Sequence, residues 1–91
     1  MLDTRDYEKT YISSNTSTQV FIGKGTLRAI VVGTTAAGAI GIIDGIGGTT
    51  VNVGELKSSI VEGTYEFNVS MGLGCRIVTA SSPKITIVWE Q

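Results

Sequence analysis

Apolar and polar residues alternate with a period of two through much of this chain. Residues 64–70 (TYEFNVS) carry the cleanest case: Tyr65, Phe67 and Val69 point one way, and Thr64, Glu66, Asn68 and Ser70 the other. That period is the mark of a half-buried strand. Residues 84–90 (KITIVWE) repeat it, with Ile85, Ile87 and Trp89 on one face, and residues 49–53 (TTVNV) do so with Val51 and Val53. Residues 18–22 (TQVFI), 39–44 (AIGIID) and 76–80 (RIVTA) are further strand signals. Residues 26–32 (TLRAIVV) are apolar at nearly every position, as expected of a central strand covered on both faces. Residues 55–61 (ELKSSIV) are ambiguous. Leu56 and Ile60 are spaced for one helical turn, and an extended connection fits equally well.

Turn residues separate these runs. Gly23-Lys24-Gly25 precedes the apolar strand, and Asp44-Gly45-Ile46-Gly47-Gly48 follows residues 39–44. Both read as hairpin turns, since glycine and Asp-Gly accept the positive φ such turns need. Ser81-Ser82-Pro83 reads as a third hairpin, joining the last two strands, with Pro83 placed before the strand where it removes no ladder bond. The reading predicts an all-β fold: a two-sheet antiparallel β-sandwich of jelly-roll or immunoglobulin-like type, with about seven or eight short strands. Tyr65, Phe67, Trp89, Leu27, Ile30, Ile42 and Val51 are its expected core. The strand-rich body covers residues 16–91, preceded by a polar N-terminal arm over residues 1–15.

Composition sharpens this picture. Isoleucine and valine total 20 residues against 4 leucines, with 12 threonines and 12 glycines among 91 residues, a balance that favours strands over helices. There is no histidine, so the usual general base and the commonest zinc ligand are missing. The single cysteine, Cys75, cannot form an internal bridge. Arg76 beside it could lower its pKa, but a small core residue is the simpler reading. Seven basic and eight acidic side chains give a net charge of −1, unsuited to a nucleic-acid surface working by counterion release.

Other chemistry fails on spacing. Gly23-Lys24-Gly25-Thr26 lacks the upstream glycine and following helix of a phosphate loop. Asp3, Asp6 and Glu8 lie close together but lack the glycine and ligand number of a calcium loop. Glu62 and Glu66 are the remaining candidate carboxylate pair, although position 66 falls on a solvent face. The sequence thus predicts no enzyme, metal site or cofactor. Residues 29–43 (AIVVGTTAAGAIGII) are uncharged, but 15 residues of helix reach only about 22 Å, short of the roughly 30 Å hydrocarbon core. Two strands joined by a small-residue loop are expected there, and no membrane span. The first ten residues, MLDTRDYEKT, lack the apolar run of a secretory signal. The Asn-x-Ser sequons at Asn15 and Asn68 are then read as chance.

Gly23-Lys24-Gly25-Thr26-Leu27, the Asp44-Gly45 turn running to Thr49, Gly63-Thr64-Tyr65, Gly72-Leu73, Ile77-Val78-Thr79 and Ile87-Val88-Trp89 together give a pattern over residues 16–91. In that pattern the chain resembles small tailed-bacteriophage virion proteins of the capsid decoration, or head cement, type. The step Gly74-Cys75-Arg76 departs from it, since the pattern runs from Gly-Leu straight into the strand. The resemblance implies a non-enzymatic protein made in the host bacterial cytoplasm and bound to the outside of the virion head. There it would stabilise the shell as a homotrimer in contact with the major capsid protein. The arm is expected to supply the interface: Tyr7, Tyr11 and Ile12 as apolar anchors, with Asp3, Arg5, Asp6, Glu8 and Lys9 as rim charges. The alternative is a tail, fibre or baseplate component contacting a host surface or glycan.

Overall fold

The computed structural model describes residues 7–91 and contains eight strands: β1 (Glu8–Ile12), β2 (Ser17–Ile22), β3 (Gly25–Thr34), β4 (Ile40–Ile46), β5 (Thr49–Leu56), β6 (Gly63–Met71), β7 (Gly74–Thr79) and β8 (Lys84–Glu90). They form two four-stranded antiparallel sheets, in the orders β1-β8-β3-β6 and β2-β7-β4-β5. The two sheets make a β-sandwich. Every connection crosses from one sheet to the other except β4–β5, the sole hairpin among the described residues. That order, with the first strand lying beside the last, is the eight-stranded jelly roll.

The topology corrects two expected hairpins. Ser81-Ser82-Pro83 joins β7 of the second sheet to β8 of the first, and Gly23-Lys24 joins β2 of the second sheet to β3 of the first. A glycine-rich turn reads alike in sequence whether its strands pair or part, because the pairing depends on long-range register. The β4–β5 turn is a true hairpin: Ile46 pairs with Thr49 around Gly47, whose φ of +57° glycine accepts without strain.

The core lies between the sheets. Leu27, Ile30, Val32, Ile85 and Ile87 fill it from the first sheet, and Phe21, Ile40, Ile42, Cys75 and Ile77 from the second. Leu27 and Ile30 are three residues apart yet both face inward. A β-bulge at Arg28 resets the phase between them, shown by the register shift against both β6 and β8. Asn68 on β6 takes up the same irregularity with a φ of +53°, a conformation asparagine tolerates better than most residues. Its side-chain oxygen accepts a hydrogen bond from Arg28 Nη1 at 3.2 Å. Tyr65, Phe67 and Trp89 are only half-buried against the core. The two on β6 sit on an edge strand, where one flank of each ring stays open.

Val51 is a clear miss, at 58 % exposed. It pairs with Asp44 near the open end of edge strand β5, and a bulge at Val53 breaks the alternation read from the sequence. The ambiguous residues 55–61 are extended at first, with Leu56 ending β5 in the core, and then turn through Ser59 at a φ of +57°. β1 is the strand that the pattern did not give. Its five residues pair throughout with β8, and Ile12 is 4 % exposed in the core. The segment expected as an arm over residues 1–15 is therefore built into the first sheet from Glu8 to Ile12.

Candidate interaction surface

The eight residues expected at an interface divide three ways. Asp3, Arg5 and Asp6 lie outside the described residues. Ile12 belongs to the chain's own core, so it cannot anchor a neighbour. Tyr7, Glu8, Lys9 and Tyr11 lie along or just before edge strand β1. Alternation sends Lys9 and Tyr11 to the outer face, because Thr10 and Ile12 turn inward. Trp89 Nε1 donates to Thr10 Oγ1 at 3.0 Å, which lets a polar residue occupy an inward position. Tyr11 is 61 % exposed and lies in register with Thr86 of β8, which in turn pairs with Val31 of β3. Next to it runs the row Lys9, Val88 and Ala29. Arg28 pairs with Glu90 and lies over the Tyr7 ring, its guanidinium carbon 5.5 Å from the centroid. The outer face of the first sheet is thus a short apolar strip edged by charge.

A second surface lies at the end where the β2–β3, β4–β5 and β6–β7 turns meet. Asp44 organises it. Its Oδ2 accepts the backbone N–H of Gly72 at 2.9 Å, and its Oδ1 accepts those of Leu73 at 2.8 Å and Gly74 at 3.2 Å. These donors hold the Asp44 carboxyl below its ordinary value of 3.8, that of Gly72 foremost, against the opposing effect of partial burial. Gly23 N–H donates to Leu73 O at 2.8 Å, and Gln91 Nε2 donates to Ile22 O at 2.6 Å. Beneath them the Gln19 amide nitrogen lies 3.0, 3.0 and 3.2 Å from the carbonyls of Phe21, Gly45 and Cys75. Gly74 has a φ of +154°, and a side chain there would meet the Phe21 carbonyl at 2.7 Å. The close approach of β2 to β7 therefore requires glycine.

Around this hub the surface is apolar. Ile22, Ile46, Val51 and Leu73 are four of the seven large hydrophobic side chains exposed among the described residues. Beside them opens a cleft of about 480 Å³ lined by Lys24, Thr26, Ser70, Met71, Gly72 and Gln91. Neither it nor this patch was foreseen. Ile22 and Val51 read as strand positions and Ile46 as a turn residue, and the bends of the chain at Gly23, Gly47 and Gly72 place all of them at one end of the sandwich.

Cys75 is fully buried, and desolvation, helped by the Asp44 charge, pushes its thiol up to about 12. The Arg76 side chain turns to Gln19 Oε1, 3.4 Å away, and does not activate it. The two carboxylates Glu62 and Glu66 have separate settings: Glu62 accepts the N–H of Thr35 at 3.2 Å, and Glu66 stands exposed on β6. Among the described residues no three His, Cys, Asp or Glu side chains are grouped as metal ligands. No helix among them is long and apolar enough to cross a membrane, and the uncharged stretch 29–43 is divided between β3 and β4. Against known proteins, no family model matches the chain and no curated protein matches it.

Proposed function

We propose that this protein is a non-enzymatic virion component of a tailed bacteriophage, a decoration protein that binds the outside of the head and stabilises the shell through protein–protein contacts. The observation that supports it best is the strand order β1-β8-β3-β6 over β2-β7-β4-β5. The jelly roll is a recurrent architecture of viral shell proteins, and it is the fold on which the resemblance in turn and strand punctuation is laid out. Folds carry many functions, so the residues must bear the claim. Tyr11, exposed among Lys9, Thr86 and Val88, supplies a rigid aromatic anchor with charge around it, the composition of a binding centre with a polar rim. The partners under this reading are the major capsid protein and two further copies of the chain.

Copy number in purified particles tests the proposal. Hundreds of copies per particle support a shell component, and a few to a few dozen copies overturn it. Tyr11→Ala and Lys9→Glu should weaken binding to undecorated heads while leaving the fold intact. Light scattering of the isolated protein tests the trimer, which a monomer at micromolar concentration would exclude.

The alternative reading, a tail, fibre or baseplate component that contacts a host surface or glycan, draws on a different observation. The cleft at the turn end presents the Lys24 ammonium, the Thr26 and Ser70 hydroxyls and the Gln91 amide together. Jelly rolls also serve as lectin domains. Low copy number with labelling at the tail would favour this second reading.

A further inference from the structure

The outer face of the first sheet carries a row of residues whose two ends are oppositely charged. Lys9 on β1 pairs with Val88 on β8, Val88 with Ala29 on β3, and Ala29 with Glu66 on β6. Ile87, Trp89, Ile30, Tyr65 and Phe67 pack on the core, so alternation sends Val88, Ala29 and Glu66 outward beside Lys9. From one edge of the sheet to the other the row reads cation, larger apolar, smaller apolar, anion. The adjoining row runs Tyr11, Thr86, Val31 and Thr64.

Lys9 and Glu66 are both exposed, and neither has an ion-pair partner among the described residues. Lys9 Nζ reaches only the Tyr7 carbonyl, at 3.4 Å. Three strand spacings of about 4.8 Å hold the two residues roughly 14 Å apart, too far to pair within one chain. Turned over about a twofold axis parallel to the strands, between β8 and β3, the row meets its own copy in reverse. Lys9 then lies over Glu66 of the second copy, and Glu66 over its Lys9. Val88 faces Ala29, a larger side chain against a smaller one, and Tyr11 faces Thr64. An axis along the row would instead set Lys9 on Lys9 and Glu66 on Glu66, so the charges select the first arrangement.

We infer that a second copy of the chain occupies this face, in a twofold contact of sheet on sheet with the strands of the two copies nearly aligned. Four strands about 4.8 Å apart and three rows about 7 Å apart give roughly 400 Å² per copy, against the ~800 Å² of a standard stable complex. The pairing is therefore weak and forms at high concentration. The face includes Tyr11, which the proposed shell contact also uses, so pairing shelters that surface in the free protein and gives way to the shell. The inference concerns the free chain and does not depend on what the chain binds in a particle.

Sedimentation of the purified full chain from micromolar to about millimolar concentration tests it. The expected result is a doubling of the species present at micromolar concentration, monomer to dimer or trimer to hexamer. A twofold contact closes with two copies, so it is separate from the threefold contact of the proposed trimer. Lys9→Glu and Glu66→Lys should each weaken the doubling about tenfold or more. An equimolar mixture of the two variants should restore it, because both ion pairs re-form between unlike copies. Restoration also excludes a folding defect, which mixing does not repair. Lys57→Glu and Glu55→Lys make the same changes of net charge at exposed positions near the end of β5, and should have no effect alone or mixed. A native chain that does not double, single variants that double like the native chain, a mixture no better than its parts, or an equal effect of the control pair would each overturn the inference. Head binding plays no part in this measurement, so the shell reading and the pairing can fail separately.

Discussion

Asp44 Oδ1 accepts the backbone N–H of Leu73 at 2.8 Å, joining β4 to the β6–β7 turn across 29 residues of chain. With Gly72 and Gly74 as further donors, one carboxylate satisfies three consecutive amides where the β6–β7 turn enters β7. Asp44→Ala should lower the unfolding free energy by about 1.5–3 kcal/mol, the range for hydrogen bonds to a charged group. Urea titration of the two proteins measures the difference.

The same carboxylate makes stability depend on acid. Its folded pKa lies below the ordinary 3.8, so between the two values the unfolded chain binds more protons than the folded one. The Asp44 contribution is complete above the ordinary value and disappears as pH falls through the folded value. The gap in unfolding free energy between the native protein and Asp44→Ala should therefore be constant near neutrality and close on acidification below about pH 4. A gap that widened in acid would refute the assignment.

Cys75 should be silent towards thiol reagents in the folded protein. Its side chain has no exposed surface, and its pKa is pushed up to about 12, so almost no thiolate exists at pH 8. An aromatic disulfide reagent should label it only after denaturant is added. Cys75→Ser should destabilise the fold by about 1–3 kcal/mol, by placing a hydroxyl in an apolar layer.

Ile42 and Val51 both read as strand positions, but their substitutions should separate. Ile42→Ala opens a cavity at a fully buried site and should cost about 2–5 kcal/mol. Val51→Thr acts on an exposed edge and should stay within about 0.5 kcal/mol. Melting temperatures of the two variants suffice to compare them.

Removing residues 1–12 should destabilise the protein measurably. The deletion takes away β1, the Ile12 side chain and the Thr10 acceptor of Trp89, and leaves β8 as a bare edge. A lowered melting temperature in the truncated chain is the expected outcome. A chain that melts unchanged would mean that β1 adds nothing to the sandwich.

How much of this was legible depended on how local the signal was. The strands at 64–70 and 84–90 were plain, because a period of two with aromatic and β-branched residues is a property of a few neighbours. β1 was hidden because its sequence, EKTYI, spends one inward position on threonine, which only the distant Trp89 makes sensible. Val51 misled because alternation says which residues share a face and is silent on where the opposite sheet ends. The turn-end patch was invisible for the same reason. Ile22, Ile46 and Leu73 are far apart in the chain, and each alone looks like an ordinary strand or turn residue.

The sequence by itself determined the class of the fold: strands, glycine-marked turns and an unbridged cysteine read as a small core residue, while residues 55–61 stayed open between a helical turn and an extended connection until the structure showed no helix among the described residues. Those follow from side-chain shape and backbone freedom, which act over a handful of residues. The tertiary structure decided which turns are hairpins and which cross between sheets, that residues 8–12 close the first sheet, and which hydrophobic side chains remain outside. Those choices depend on register and on the free energy of burying whole faces, which no short window of sequence contains.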